Sequence, residues 1–319
     1  MKEEAGERQL LIAVDQEGGR VARLRDPFTE VPSARTLSTA RHPSKAAAIA
    51  GKIHGSELRA VNIDLNFAPV MDVDTNPDNP VIGDRAFSAD QAEVAALGTN
   101  YITALQAEGV AACAKHFPGH GDTSVDSHTG LPVVEHSLDR LKDVELVPFK
   151  EAIKNDVASV MIGHLYVPAI MSKGGGSEER VLPATMSKSV VDYLRHDMGY
   201  TGVVLTDDLH MGAIADDHGI SEAVVQGAHA GIDMFLVCHV EAEQHAAIDA
   251  LVKAVESGAM PLESVQEANR RVDDLMDKYA RKPQSRTTSK PLTVVGSEKN
   301  AELIANILGR AGIRTNVFR

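Results

Sequence analysis

A chain of 319 residues with 45 acidic against 32 basic side chains carries a formal charge of -13. That balance excludes a surface built to hold nucleic acid or an anionic membrane, both of which need clustered Lys and Arg. Hydrophobic residues at 43% and charged residues at 24% are ordinary globular values, and with no Trp the core must come from Ala, Val, Leu and Ile.

Six short apolar runs lack period-two alternation and so predict parallel strands covered on both faces: Leu10–Val14, Ile63–Val70, Val110–His116, Ala158–His164, Gly202–Thr206 and Asp233–Val237. Helical patterns separate them, with Ser44 expected to cap a helix over Lys45–Val61 and Ser221 one over Glu222–Ala230. Two more helices are expected at Glu241–Glu256 and Leu262–Lys282, followed by a polar linker, Pro283–Lys290. The last segment predicts a βαβ fragment too small to fold alone, with strands Leu292–Val295 and Arg314–Phe318 flanking helix Glu298–Leu308. Residues 1–282 therefore form one α/β domain and 283–319 a linker with the start of another.

Cys113 and Cys238 each sit in an apolar run, which predicts buried free thiols and, without a disulfide framework, a cytoplasmic protein. No 18-residue apolar stretch and no basic-then-apolar start is present, so neither a membrane span nor a signal peptide is expected.

Polar residues gather just past these strands: Asp15 to Gly19 after the first, Asp72 and the loop Asn76 to Arg85 after the second, and Lys115 to His120 at the third. His164 ends the fourth, Asp207-Asp208 the fifth, and His239 follows the sixth. An open doubly wound sheet binds only near its switch point, whereas a (β/α)8 barrel gathers its site from the carboxyl ends of many strands. The pattern favours the barrel.

The stretch Lys115 to His128 holds three histidines, two acids and a lysine, interrupted by Pro118 and Gly119. A helix is impossible there, which removes the usual helical pairing of histidines at a zinc ion, so His116, His120, Asp126 and His128 are not expected to bind metal. Acid–base chemistry fits better, because imidazole titrates near neutrality and Asp126 could orient the ring of His128 two residues on. Two adjacent acids leaving an apolar strand, Asp207 and Asp208, are costly unless they meet a cleft or a partner. Asp208 suits a helix cap or a related structural role. Asp207, nearer the strand, would face the barrel mouth, where a carboxylate can attack an anomeric carbon.

At this point Asp15-Gln16-Glu17-Gly18-Gly19-Arg20-Val21, Asn79 to Phe87, Lys115 to Gly121, Asp126-Ser127-His128 and Thr206-Asp207-Asp208 together resemble glycoside hydrolase family 3, in its β-N-acetylhexosaminidase branch. The likeness runs from about Leu10 to Lys282. It implies a retaining hydrolase of terminal β-linked N-acetylglucosaminides, peptidoglycan fragments among them, with Asp207 as nucleophile and His128 as acid/base partnered by Asp126. It further implies that Asp15, Arg23, Arg85, Lys115 and His116 bind the sugar, that no cofactor or metal is used, and that the protein is a monomer. A neutral imidazole repels anions less than a carboxylate would, so phosphorolysis is an open variant. A family 3 β-glucosidase and an inactive sugar-binding protein also remain open at this point. Members of the family carry one more strand–helix unit ahead of the Asp-Gln-Glu-Gly-Gly segment. The barrel is therefore expected to lack its first unit, or to be patched by the C-terminal βαβ piece.

Overall fold

The computed structural model describes residues 10–127, 130–171, 181–215, 218–280 and 291–309. Among these, the strands in chain order are β1 (Ala13–Val14), β2 (Gln16–Gly18), β3 (Val21–Ala22), β4 (Leu65–Asn66), β5 (Ala111–Phe117), β6 (Ser159–Ile162), β7 (Val203–Asp208) and β8 (Met234–Leu236). Strands β2 and β3 form a small antiparallel hairpin, and the other six make one sheet in the order β1-β4-β5-β6-β7-β8. Every pairing in that sheet is parallel, with registers such as Ala13 to Leu65, Cys113 to Ser159 and Leu205 to Met234. Parallel neighbours taken strictly in sequence order, with helices between them, are the winding of a (β/α)8-type barrel, and each of the six expected strand runs overlaps one of these strands, β5 and β7 running one and two residues past the expected ends.

Alternation along the strands divides the core. Ala112, Ala114, Val160, Ile162 and Val204 pack outward against helix residues such as Leu97, Ile102 and Phe149. Leu65, Ala111, Cys113, Met161, Val203 and Leu205 form an inner cluster joined by Leu275 and Tyr279 of helix Leu262–Tyr279. This largely aliphatic interior leaves polar side chains at the carboxyl ends of the strands, where the chain changes to Lys115, His116, His164 and Asp207. No helix among the described residues is long and apolar enough to cross a membrane.

Several expected details differ. The first long helix is Pro43–Ala60, capped by the backbone of His42, and Ser44 lies inside it because Pro43 already supplies the fixed φ suited to the first helical position. Helix Ile220–Ala230 likewise begins one residue before Ser221, with Gly219 in the capping place. Cys238 is exposed, since β8 ends at Leu236 and the apolar run leaves the sheet before reaching it. Residues 292–295 are not a strand: Leu292–Val294 is a 3-10 turn bounded by Pro291 and Gly296, too short and constrained to join a ladder. The helix after it is found at Glu298–Ile307, while 314–318 lie outside the described residues.

That C-terminal helix packs on the outside of helix Pro43–Ala60, with Ile304 entering the main core. The junction centres on Glu57, which is only 2% exposed. Its carboxylate accepts from the Thr29 backbone N–H and hydroxyl, and from the Gly296 N–H and Asn300 Nδ2, at 3.0 and 2.9 Å. Gly296 adopts φ +59°, and a Cβ there would sit 1.9 Å from the Pro27 carbonyl oxygen, so only glycine closes this corner.

Candidate active site

The carboxyl ends of the strands surround a cavity of about 720 Å³, a size suited to a small ligand. Asp15, Arg23, Arg85, Lys115, His116, Asp126 and Asp207 all line it, so the structure brings together every expected site residue that it describes. His128, the expected acid/base, lies outside the described residues.

The hairpin β2–β3 sets one wall. Gly18 and Gly19 turn at φ +105° and +57°, and a Cβ on either would strike the Val31–Ser33 backbone or the Ser33 side chain, with nearest approaches of 2.6 and 2.7 Å. This tight return holds Asp15 and Glu17 at the mouth, where Lys115 Nζ reaches Asp15 at 2.9 Å and Glu17 at 2.7 Å. Arg85 grips Glu17 with a two-pronged contact, Nε and Nη2 to the two carboxylate oxygens at 2.9 and 2.8 Å. Burial alone would push the Glu17 carboxyl up, but the adjacent Lys115 and Arg85 outweigh it and hold it at about 2. The same partners keep Lys115 and Arg85 above their ordinary values despite burial. Glu17 is therefore a permanent anion that lets two buried cations exist beside the cavity.

Asp72 organises the next wall. Its buried carboxylate accepts from His116 Nδ1 at 2.7 Å, the His116 backbone at 3.2 Å and the His120 backbone at 2.7 Å. Burial raises this acid, yet His116 and His120 together bring it below its usual range. His116 turns its other nitrogen toward Arg85 Nη2, 3.4 Å away. His120 bonds the Thr123 and Ser127 hydroxyls at 2.7 and 3.1 Å, and burial drops its imidazole to about 4, so it is neutral. Asn79 stitches this loop to its neighbour: its Oδ1 accepts from the backbone of Val81 and Ile82, and its Nδ2 donates to the carbonyl of His120 at 2.8 Å.

Asp207 emerges at the end of β7. Burial tends to raise its carboxyl, but the nearby His116, His164 and Lys115, with the Asp208 backbone N–H at 2.9 Å, bring it below its ordinary value. His164 donates from Nε2 to the Asp208 carbonyl at 2.9 Å, faces the Thr185 hydroxyl with Nδ1, and is lowered by burial. Asp208 points elsewhere, to His239 Nε2 at 3.1 Å, His210 Nδ1 at 3.3 Å and the Cys238 backbone. These contacts brace the far wall of the cavity, which Asp208 also lines. Arg23 lines the cavity as Arg85 and Lys115 do, but no side-chain ion pair is found for it among the described residues.

In the sequence Glu17, His120 and His239 stand at strand ends without a role in the chemistry, and His210 is not singled out. Glu17 carried a signal, since it sits two residues from Asp15 in the same motif, but its partners lie 68 and 98 positions away and only folding reveals them.

The model of the glycosyl hydrolase family 3 N-terminal domain matches residues 1–275. The chain is 41% identical over 237 residues to beta-hexosaminidase A of Pseudoalteromonas piscicida, covering 72% of this chain and 40% of that one. It is 40% identical over 270 residues to beta-hexosaminidase LpqI of Mycobacterium tuberculosis, covering 82% and 67% respectively. A solved family 3 beta-N-acetylglucosaminidase from Paenibacillus sp. aligns with a TM-score of 0.87 at 42% identity, over 96% of this chain and 57% of that one. The chain thus spans from two fifths to two thirds of the length of these relatives.

Proposed function

Because this chain belongs to glycosyl hydrolase family 3, we propose that it releases terminal β-linked N-acetylglucosamine from glycosides, peptidoglycan fragments among them, with retention at the anomeric carbon. The observation that carries this reading is Asp207: an ionised carboxylate at a strand end, opening into a cavity whose walls hold fixed cations and acceptors for sugar hydroxyls. In the first step Asp207 attacks the anomeric carbon and the aglycone leaves with a proton from His128. In the second, His128 takes a proton from water, which opens the glycosyl-Asp207 ester. Asp126, which lines the same cavity, orients that imidazole. Asp15 accepts from sugar hydroxyls while Arg23, Arg85, Lys115 and His116 donate to sugar oxygens. The beta-hexosaminidase names of its relatives support the choice of an N-acetylated sugar.

The test compares aryl β-N-acetylglucosaminide with aryl β-glucoside. The first is cleaved and the second is not; equal rates refute the sugar assignment. Asp207→Ala abolishes turnover, and a glycosyl-enzyme trapped from the native protein maps by mass spectrometry to the Asp207 peptide. His128→Ala slows poor leaving groups most, since activated phenolates need little protonation. Product analysis in phosphate buffer separates water from phosphate as acceptor, and a sugar 1-phosphate would replace hydrolysis by phosphorolysis.

A further inference from the structure

A second cluster of ligating side chains lies behind the catalytic loop, and none of its members lines the cavity. Asp122 and His136 stand 14 positions apart and meet through Oδ2 and Nε2 at 2.5 Å. Between them they bracket the segment that carries Asp126 and Ser127. Glu145 approaches from beneath, with a side chain only 1% exposed. It is packed against Gly119 so closely that a Cβ there would fall 2.9 Å from the Glu145 Cβ. One ligand atom from each of Asp122, His136 and Glu145 lies within 4.8 Å of the other two. Arg140 donates to Glu145 Oε1 at 3.0 Å, while the buried Oε2 has no hydrogen-bond partner among the described residues. A carboxylate oxygen removed from water without a partner is costly, and a cation supplies what it lacks.

We propose that Asp122, His136 and Glu145 bind a divalent transition metal, best suited to zinc, which staples both ends of the catalytic loop to the scaffold below it. One imidazole and two carboxylates suit zinc, whereas calcium and magnesium take oxygen sets and copper(I) prefers thiolates. Bond lengths of about 2.0–2.2 Å place tetrahedral ligands roughly 3.4 Å apart. The Asp122–His136 pair therefore opens by about an ångström, and the metal takes the place of the proton between Nε2 and Oδ2. Water fills the fourth position, and Arg140 orients Glu145 from outside as a supporting partner. The site differs from the cluster of His116, His120, Asp126 and His128 considered from sequence, because His136 and Glu145 lie beyond that stretch.

Zinc alone is the probe, titrated into chelator-treated protein by calorimetry, with metal content measured after dialysis. One equivalent binds per chain, and the thermal midpoint rises with free zinc as mass action requires. Asp122→Asn, nearly isosteric, and His136→Asn, which removes the Nε2 ligand, both at half-buried positions, melt like the metal-free native protein but bind zinc at least tenfold more weakly. Asp207→Ala keeps full zinc affinity, which separates this site from the proposed chemistry. Absence of stoichiometric binding overturns the proposal. So does zinc retained by His136→Asn, or zinc lost in Asp207→Ala, which would put the metal in the catalytic cavity.

Discussion

Replacing Glu17 by Gln removes one charge, preserves shape, and leaves Lys115 and Arg85 without their shared counter-ion. Glu17 is held at about 2 in the fold against an ordinary 4.5, a difference that contributes about 3 kcal/mol of stability at neutral pH. Loss of one partner from a buried ion pair costs about 3–5 kcal/mol by mutational precedent, so the two routes agree. Because the folded value is depressed, this stability is fully present above about pH 4.5 and is lost as the pH falls toward 2. Urea denaturation of both proteins at pH 7 should therefore show a gap of about 3 kcal/mol that narrows at about pH 3.5. A gap below about 0.5 kcal/mol, typical of an indifferent surface site, would refute the reasoning. So would a gap that stays the same at both pH values.

Other parts of the molecule make three more outcomes measurable. Arg23→Met should raise KM about tenfold, with kcat and melting temperature little changed, since a charge-assisted hydrogen bond is lost without breaking an ion pair; a large stability loss would instead mark Arg23 as structural. Gly121→Ala should destabilise by about 3 kcal/mol or more, measured by urea unfolding, because its Cβ would lie 1.9 Å from the Val73 carbonyl oxygen, where only backbone could yield. Burial lowers His54 to about 4, so the unfolded chain takes up its proton first and stability falls as pH drops from about 6.5 to 4. His54→Asn, which keeps a polar atom facing the Tyr101 hydroxyl, should flatten that decline by about 3 kcal/mol; identical pH profiles would contradict it.

The sheet was legible because strands covered on both faces need uninterrupted apolar runs, and Ala111–Ala114 of β5, buried at every position, is the clearest case. The site was legible because polar residues end such a run, so Lys115, His116 and Asp207, at the carboxyl ends of β5 and β7, mark where the apolar interior gives way to the cavity. Pairings were not legible. Nothing local tells that Glu17 neutralises Arg85 and Lys115, that Asp72 holds His116, or that Asp122 reaches His136. Helix starts were misplaced for a different reason: Ser44 and Ser221 are good caps by residue type, but Pro43 and Gly219 stand just ahead of them and set the boundary. Cys238 reads as interior because it follows the apolar run Met234–Val237, yet it lies just past the point where the chain turns to meet Asp208.

The Glu57 junction bears on where this chain can be shortened. A version stopping at residue 282 would read as a whole barrel with its tail trimmed, yet it would strip two of the four donors from the buried carboxylate of Glu57 on helix Pro43–Ala60. The exposed helix face and a carboxylate left with only its Thr29 donors would then weaken the first long helix, and through it the β1–β4 edge of the sheet. Residues 291–309 are in that sense part of the barrel's own masonry, set last in sequence but resting against its earliest course.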